Sequence, residues 1–432
     1  MLSFFQSIQR FFRLPDLRRK FFVVIGLITL SRLISSIPIP GVDRTQLSSF
    51  LNNNQAFSLL NVFSGGGLTN FSIALMGVGP YITSSIVFQL LTLIVPSLEA
   101  LSKEGEYGRK KINQYTRLAT IPLGLIQGFG TLTYLKNSQV ISNWTGWNLA
   151  FMLIVAMGGT MLLVWIGELI SEQGIGNGLS IIITTGIVSS FPTQVQNFYQ
   201  RYAGPGGISP QDYLQIGGFL ILAALALALI IFMNEGTRNI PVSYAKRVRG
   251  NKTYGGVDTN LPIKVNASGV VPIIFAVSMV LFPTIIGQFL SKARSLPVQH
   301  FGTAVTNFFA NQWYYAAIYF ILVISFTFFY TFIIFQPQQM AENLQKQGGF
   351  IPGVRPGIDT EMYLYTVIQR LTFAGAIFLG IIAVLPILTQ QVTKITTLNL
   401  GGTSLLIVVA VILEIMRQVR AQMITRTYET YI

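Results

Sequence analysis

Long apolar runs divided by short polar stretches set the pattern of this chain. Ten such runs lie at roughly 21–37, 71–95, 118–135, 149–170, 179–198, 214–233, 267–290, 314–335, 371–389 and 400–416. Each approaches the roughly 20 residues that a helix needs to cross the hydrocarbon layer. The runs are continuously apolar, whereas the strands of a membrane barrel alternate. The pattern predicts an all-α polytopic membrane protein with ten transmembrane helices. Ahead of the first run, Leu2, Phe4, Phe5, Ile8, Phe11 and Phe12 recur at helical spacing. They predict an amphipathic helix lying on the membrane surface. Arg18, Arg19 and Lys20 then precede the run. No A-x-A site follows, so this is read as a retained span rather than a signal peptide.

The stretch Asn61–Pro96 interrupts the pattern. It begins with a short piece broken by Gly65, Gly66 and Gly67, and continues as a run from Phe71 to Val95. The first piece is too short to cross and too glycine-rich to favour a helix. Two readings fit it. It is an ordinary external loop, or 57–70 sits in a watery vestibule. At membrane depth, irregular backbone is tolerated only where protein buries it or it lines such a cavity.

Composition sharpens the class. The 432 residues are 51% hydrophobic and 10% charged, against about 25% charged in soluble domains; mean hydropathy is +0.57. There is no cysteine and one histidine, His300. Disulfides, thiol ligands and paired-histidine metal sites are excluded. The net charge of +14 is largely a topology signal. With the N-terminus inside, 22 of the 29 Lys and Arg fall on the cytoplasmic side. The positive-inside rule therefore places both termini in the cytoplasm. Two cytoplasmic loops stand out. Residues 234–266 carry Lys246, Arg247, Arg249 and Lys252, with β-type alternation either side of Gly250-Asn251, which predicts a hairpin. Residues 336–370 hold a polar helix, then GGFIPGVRPG with Arg355 on a stiff loop, then Asp359 as the expected N-cap of the next helix. Both loops read either as plain solvated connections or as docking surfaces.

Two halves of five spans divide near Gly204-Pro205, at 1–205 and 206–432. An odd number of spans per half forces opposite orientations. Gly77-Val78-Gly79-Pro80-Tyr81-Ile82 in span two matches Gly269-Val270-Val271-Pro272-Ile273-Ile274 in span seven, and 178–183 in span five matches 402–407 in span ten. The matches align Ile82 with Ile274 and Ile183 with Ile407. Val78 and Leu179 lie one turn before Ile82 and Ile183. These six aliphatic residues read either as helix–helix core or as a constriction that seals without binding ions. No Asp or Glu lies in the interior of a run, and Arg32 is the one base well inside. Intramembrane charges mark ion and proton paths, so an ion-coupled transporter of a small solute is the second reading.

The motifs IPIPGVD (37–43), FSGGGL (63–68), KEGEYGRKKINQYTR (103–117), GELISEQGIGNGLSIII (167–183), YAKR (244–247), LPIKVNASGVVP (261–272), NLQKQGGFIPGVRPG (343–357) and GGTSLLIVV (401–409) together resemble the SecY/Sec61-alpha family of protein-conducting channels. The resemblance spans nearly the whole chain. It implies a clamshell of two inverted five-helix halves around an hourglass pore in the bacterial cytoplasmic membrane. It makes Val78, Ile82, Leu179, Ile183, Ile274 and Ile407 the pore ring, and Phe63, Ser64, Gly65, Gly66, Gly67 and Leu68 the plug. Gln127 and Asn266 match polar lateral-gate positions, where they would hold the gate by a hydrogen bond. Lys246, Arg247, Arg249, Lys252 and Arg355 would meet the SecA ATPase or ribosomal RNA. Further implied partners are SecE-like and SecG-like small membrane subunits, the translocating polypeptide with its signal sequence, and anionic lipid. No cofactor and no enzymatic activity are implied. Two departures stand out: Asn251-Lys252 keeps one base at the hairpin tip, and Val78 and Leu179 stand where isoleucine is common.

Overall fold

The computed structural model describes residues 15–40, 42, 46–47, 61, 64–137, 140–141, 145–202, 210–244, 247–249, 252–254, 258–291, 295–393 and 402–429. The surface helix expected at the N-terminus, Phe63, Lys246 and Asn251 lie outside these residues. The chain is mainly helical and divides into two compact units. One comprises Met1–Gly207, Val277–Ala310 and Val411–Ile432; the other comprises Ile208–Ala276 and Asn311–Ala410.

In the first unit, α1 (Pro15–Ser36) packs on α5 (Gly146–Glu172) and α6 (Gly178–Tyr202), while α2 (Gly79–Ile94) packs on α4 (Glu106–Asn137). Close crossing is allowed by small residues. A methyl group on Gly124 would run into Met157 and Pro80, and one on Gly159 into the Ile73 backbone. Loss of a side chain there costs helix propensity but permits dispersion contacts along the crossing. Asn177 caps α6, its Oδ1 accepting from Leu179 N (3.1 Å) and Ser180 N (3.3 Å).

The run expected to cross as 71–95 does so only in part. Residues 64–78 form successive turns, and the helix begins at Gly79. Positive φ at Gly77 (53°) and Phe71 (44°) cannot continue a right-handed helix, and Pro80 suits a first turn, where its missing N–H costs nothing. At 1.5 Å per residue, the 16 residues of α2 reach about 24 Å. The chain then bends by 101° into α3 (Pro96–Lys103). Among the described residues five helices are long and apolar enough to cross a membrane, or six when this bent pair counts as one. Each of the ten expected runs holds a helix, but length and composition alone do not establish ten crossings among the described residues.

In the second unit, α7 (Pro210–Glu235) and α10 (Gln312–Ile334) pack on α12 (Ile358–Thr393), and the N-terminal turn of α8 (Val271–Leu290) sets Phe275 edge-on to Phe326 and Tyr330. Between α8 and α10 in sequence lies α9 (Leu296–Ala310), in the first unit. The loop after α7 is a ribbon. Strand β1 (Thr237–Tyr244) pairs antiparallel with β4 (Asp258–Lys264), and β2 (Arg247–Arg249) with β3 (Lys252–Tyr254). The expected hairpin is therefore present, closing from the pair Arg249↔Lys252.

The loops expected on the cytoplasmic side form one body. Strand β5 (Gly349–Phe350) follows α11 (Pro337–Lys346) and pairs with β1 at Ser243↔Phe350 and Tyr244↔Gly349. Under this sheet Ile240, Val242, Ile263, Ala341, Ile351, Leu364, Val367 and Ile368 make a common core. Asp359, expected as an N-cap, instead lies in the first turn of α12, which starts at Ile358. The reason is the Pro356-Gly357 turn, with Gly357 at φ 106°, which closes directly before Ile358. The carboxylate still favours the positive end of the helix dipole. Leu364→Ala is expected to destabilise this core by about 2–5 kcal/mol and to open both loops to trypsin together. Cleavage of one loop alone in a digestion time course would show that they are not one body.

Candidate functional site

The non-helical piece Ser64–Val78 is the feature around which chemistry gathers. Its backbone bonds are met locally. Asn61 O accepts from Gly66 N (2.8 Å) and from Ser64 Oγ (3.0 Å), and Asn61 Oδ1 accepts from Thr69 N (2.9 Å). Leu68 N donates to Ser64 Oγ, and Ser72 N to Gly67 O. Ile39 N donates to Phe71 O and Ile73 N to Ile37 O, anchoring the later part to the end of α1. Ser64, Gly65, Gly67 and Leu68 are buried, while Thr69 and Asn70 are exposed. Leu68, Phe71 and Leu75 join Leu132 and Leu135 of α4 and Met152 and Ala156 of α5 in one apolar cluster. This is the burial of a packed segment, not of a solvated connection. Burial of the Phe71 ring offsets a backbone placement that costs about 1–3 kcal/mol.

Arg32 reaches this segment from α1. Its Nη1 donates to Gly65 O (2.7 Å) and to Ser189 Oγ (3.0 Å), and its Nη2 to Ile182 O (3.3 Å). Ser189 in turn donates to Gly186 O (2.9 Å). No carboxylate partners Arg32 among the described residues; carbonyl dipoles and a hydroxyl do that work. Gly65 lies so close to α6 that a methyl group on Gly186 would run into its Cα. Gly65 itself takes φ 69°, a conformation open to glycine at little cost. The sequence singled out Arg32 as a charge inside a span, but Ser189 and Gly186 carried no signal beyond being small.

The six aliphatic residues are placed as follows. Val78 N-caps α2, and its carbonyl accepts from Ile82 N (3.1 Å). Leu179 and Ile183 lie on α6, Leu179 half-buried against Gly167 and Ile183 buried. All four belong to the first unit. Ile274 and Ile407 belong to the second and are also buried. Gln127 and Asn266, expected at a lateral gate, each find a partner inside their own unit. Gln127 Nε2 donates to Thr83 Oγ1 (3.2 Å), from α4 to α2. Asn266 Nδ2 donates to Asn234 Oδ1 (2.8 Å), and Asn266 Oδ1 accepts from Ser268 Oγ (3.4 Å). Asn234 was not marked by sequence; an amide ending an apolar run is the signal that would have found it.

Of the basic positions, Arg247, Arg249 and Lys252 lie on the short β2–β3 pair. Arg355 is exposed, between Gly353 (φ 85°) and Gly357, with its carbonyl accepting from Thr360 Oγ1 (2.8 Å). The C-terminal helix α13 (Gly402–Glu429) braces the loop before α6: Gln422 Nε2 donates to Gly174 O (2.7 Å), and Gly176 N donates to Gln418 Oε1 (2.6 Å).

Known proteins place this arrangement. The overall fold is that of solved protein-conducting channels. One such channel superposes with a TM-score of 0.60 at 16% identity, covering 92% of this chain and 91% of its own. A SecY channel, whose plug domain is described as stabilising the closed state and maintaining a membrane seal, superposes at 0.59 and 17%, covering 93% and 91%. Sec61 in the canine ribosome–channel complex from the endoplasmic reticulum superposes at 0.56 and 14%, covering 92% and 91%. The SecY family model matches residues 72–416. The protein translocase subunit SecY of Halalkalibacterium halodurans is 43% identical over 99% of this chain and 100% of its own length; that of Streptomyces coelicolor is 37% identical over 98% of each. The chain belongs to the SecY family.

The Asn234–Asn266 pair is open to a double-mutant cycle. Alanine at either position is expected to cost stability, with a coupling of about 0.5–1.5 kcal/mol for one buried hydrogen bond. Strictly additive losses in thermal unfolding would show that the two amides act independently.

Proposed function

We propose that this chain is the channel subunit of a bacterial Sec translocon, a passive conduit in the cytoplasmic membrane with both termini in the cytoplasm. Secretory polypeptides cross through it, and apolar segments leave it sideways into lipid. The observation that carries this reading is the buried, glycine-rich, non-helical segment Ser64–Val78, in a chain whose relatives are named translocase subunits. Because the segment has no helix to melt, displacement costs packing and a few hydrogen bonds.

In this reading the chain is built as two inverted halves, 1–205 and 206–432. Val78, Ile82, Leu179, Ile183, Ile274 and Ile407 form the constriction, and Ser64 to Leu68 the stopper. Gln127 and Asn266 lie at the sideways exit. A hydrogen bond in a membrane is worth about 0.6 kcal/mol on average. Burying one apolar segment at about 25 cal/mol per Å² outweighs several such bonds. The chain carries no nucleotide-binding motif, so in this reading it is a passive conduit and the energy comes from a partner. The SecA ATPase or the ribosome docks on Lys246, Arg247, Arg249, Lys252 and Arg355, and the ribosome-bound Sec61 neighbour supports the latter. SecE-like and SecG-like subunits and anionic lipid complete the assembly. The ion-coupled transporter reading falls away, since the relatives are translocase subunits and no acid lies in the interior of a run, Glu168 and Glu414 standing at run ends.

Reconstituted with its small subunits and a motor, the complex is expected to move a secretory protein into vesicles. Arg355→Glu should reduce that transport at least tenfold while leaving insertion of the chain unchanged; undiminished transport would remove the docking role. Replacing Ile82, Ile183, Ile274 and Ile407 together by serine should make resting vesicles leak ions. Tight vesicles would return these four residues to plain helix packing.

A further inference from the structure

The hydrogen bonds of Ser64–Asn70 are of two kinds. Those to Asn61, to Ser64 and to Phe71 and Ser72 are local, made with the chain directly before, within and after the segment. Among the described residues, one bond ties it to an element distant in sequence, from Arg32 Nη1 to Gly65 O at 2.7 Å. The donor is a full charge, which makes this bond stronger than a neutral one. It is also fixed independently of the segment, because Ser189 Oγ and Ile182 O on α6 hold the same guanidinium. Gly186 lets Gly65 come close enough to be reached, and a side chain there would push it away.

We propose that Arg32 is the catch of the channel. It is a positioning residue that holds the segment shut through the Gly65 carbonyl. On release it keeps its two α6 partners and stays behind as a bare cation beside the pathway. The inference rests on the reading of Ser64–Leu68 as a stopper. Its physical basis is the asymmetry of the clasp. Release breaks one bond to the segment and leaves the charge partly satisfied, so the guanidinium does not have to move and is already in place for reclosure. A fixed cation at an open pore attracts anions and repels cations, so the released state carries an ion preference that the closed state hides.

The full chain with its copurifying subunits is reconstituted in planar bilayers, with no client present. Arg32→Gln is expected to raise the resting leak at least tenfold, with little preference between chloride and potassium. Gly186→Ala displaces Gly65 and leaves Arg32 in place. It is expected to raise the leak comparably, now with chloride passing several-fold better than potassium. Combined with Arg32→Gln, that preference should vanish. Arg32→Lys, whose ammonium lacks the fork that spans both partners, should fall between wild type and Arg32→Gln. The chain has no cysteine, so a fluorophore on Thr69→Cys reports the segment alone, and its environment should change in the leaking variants. A sealed Arg32→Gln complex with an unmoved label overturns the catch. A Gly186→Ala leak without chloride preference overturns the exposed cation. If Arg32→Gln does not insert, Gly186→Ala and Ser189→Ala decide the matter by the same readouts. A wild-type complex that moves no polypeptide when driven by a motor would instead sink the channel reading. Normal transport with no change in leak sinks only the catch.

Discussion

Backbone amides and carbonyls inside a lipid layer must be satisfied by the chain itself, because hydrocarbon offers them nothing. Helices meet this demand automatically. The stretch Ser64–Val78 does not have that recourse, and its structure follows from the alternatives it uses. Asn61 takes up three donors from the first turns, the end of α1 pairs with Phe71 and Ile73, and a guanidinium from α1 takes the Gly65 carbonyl. The apolar side chains of the same stretch fill the space between α4 and α5. Packing and hydrogen bonding are therefore divided between different atoms of one short piece.

Arg32 shows why a charge survives inside an apolar helix. An isolated buried ion costs several kcal/mol, and no acid offsets it among the described residues. Oxygen dipoles do so instead, and they come from two places: a helix that is regular, and a segment that is not. The small residues around it are a condition of the same arrangement. Gly65 and Gly186 approach backbone to backbone, and any side chain at either would separate the carbonyl from the charge.

Much of this was legible beforehand. Continuous apolar runs predict helices because in-plane hydrophobicity needs no long-range information, and a helix stands on each. The hairpin was legible from alternation around Gly250-Asn251. Two things were not. The start of α2 was misjudged at Phe71, because hydropathy does not register positive φ at Phe71 and Gly77, nor a proline placed to begin a helix. Asp359 stands two positions inside the cap it is expected to be, because the turn at Gly357 closes directly before the helix. The partners of Arg32, Gln127 and Asn266 were illegible for a different reason. Thr83, Ser189 and Asn234 are common polar residues whose meaning comes from which helix packs beside them, and one sequence does not state that. The role of the six aliphatic residues was illegible because apolar side chains form the same pattern in a core and in a constriction.

The loops 234–266 and 336–370 are distant in sequence yet share one three-stranded sheet, through Ser243↔Phe350 and Tyr244↔Gly349, and one layer of greasy side chains beneath it. Mechanically they are a single lever. A force on the ribbon is transmitted to the stiff turn at Arg355 and into the first turns of α12 without a separate handle there. A docking protein that grips only one of them still pulls on both.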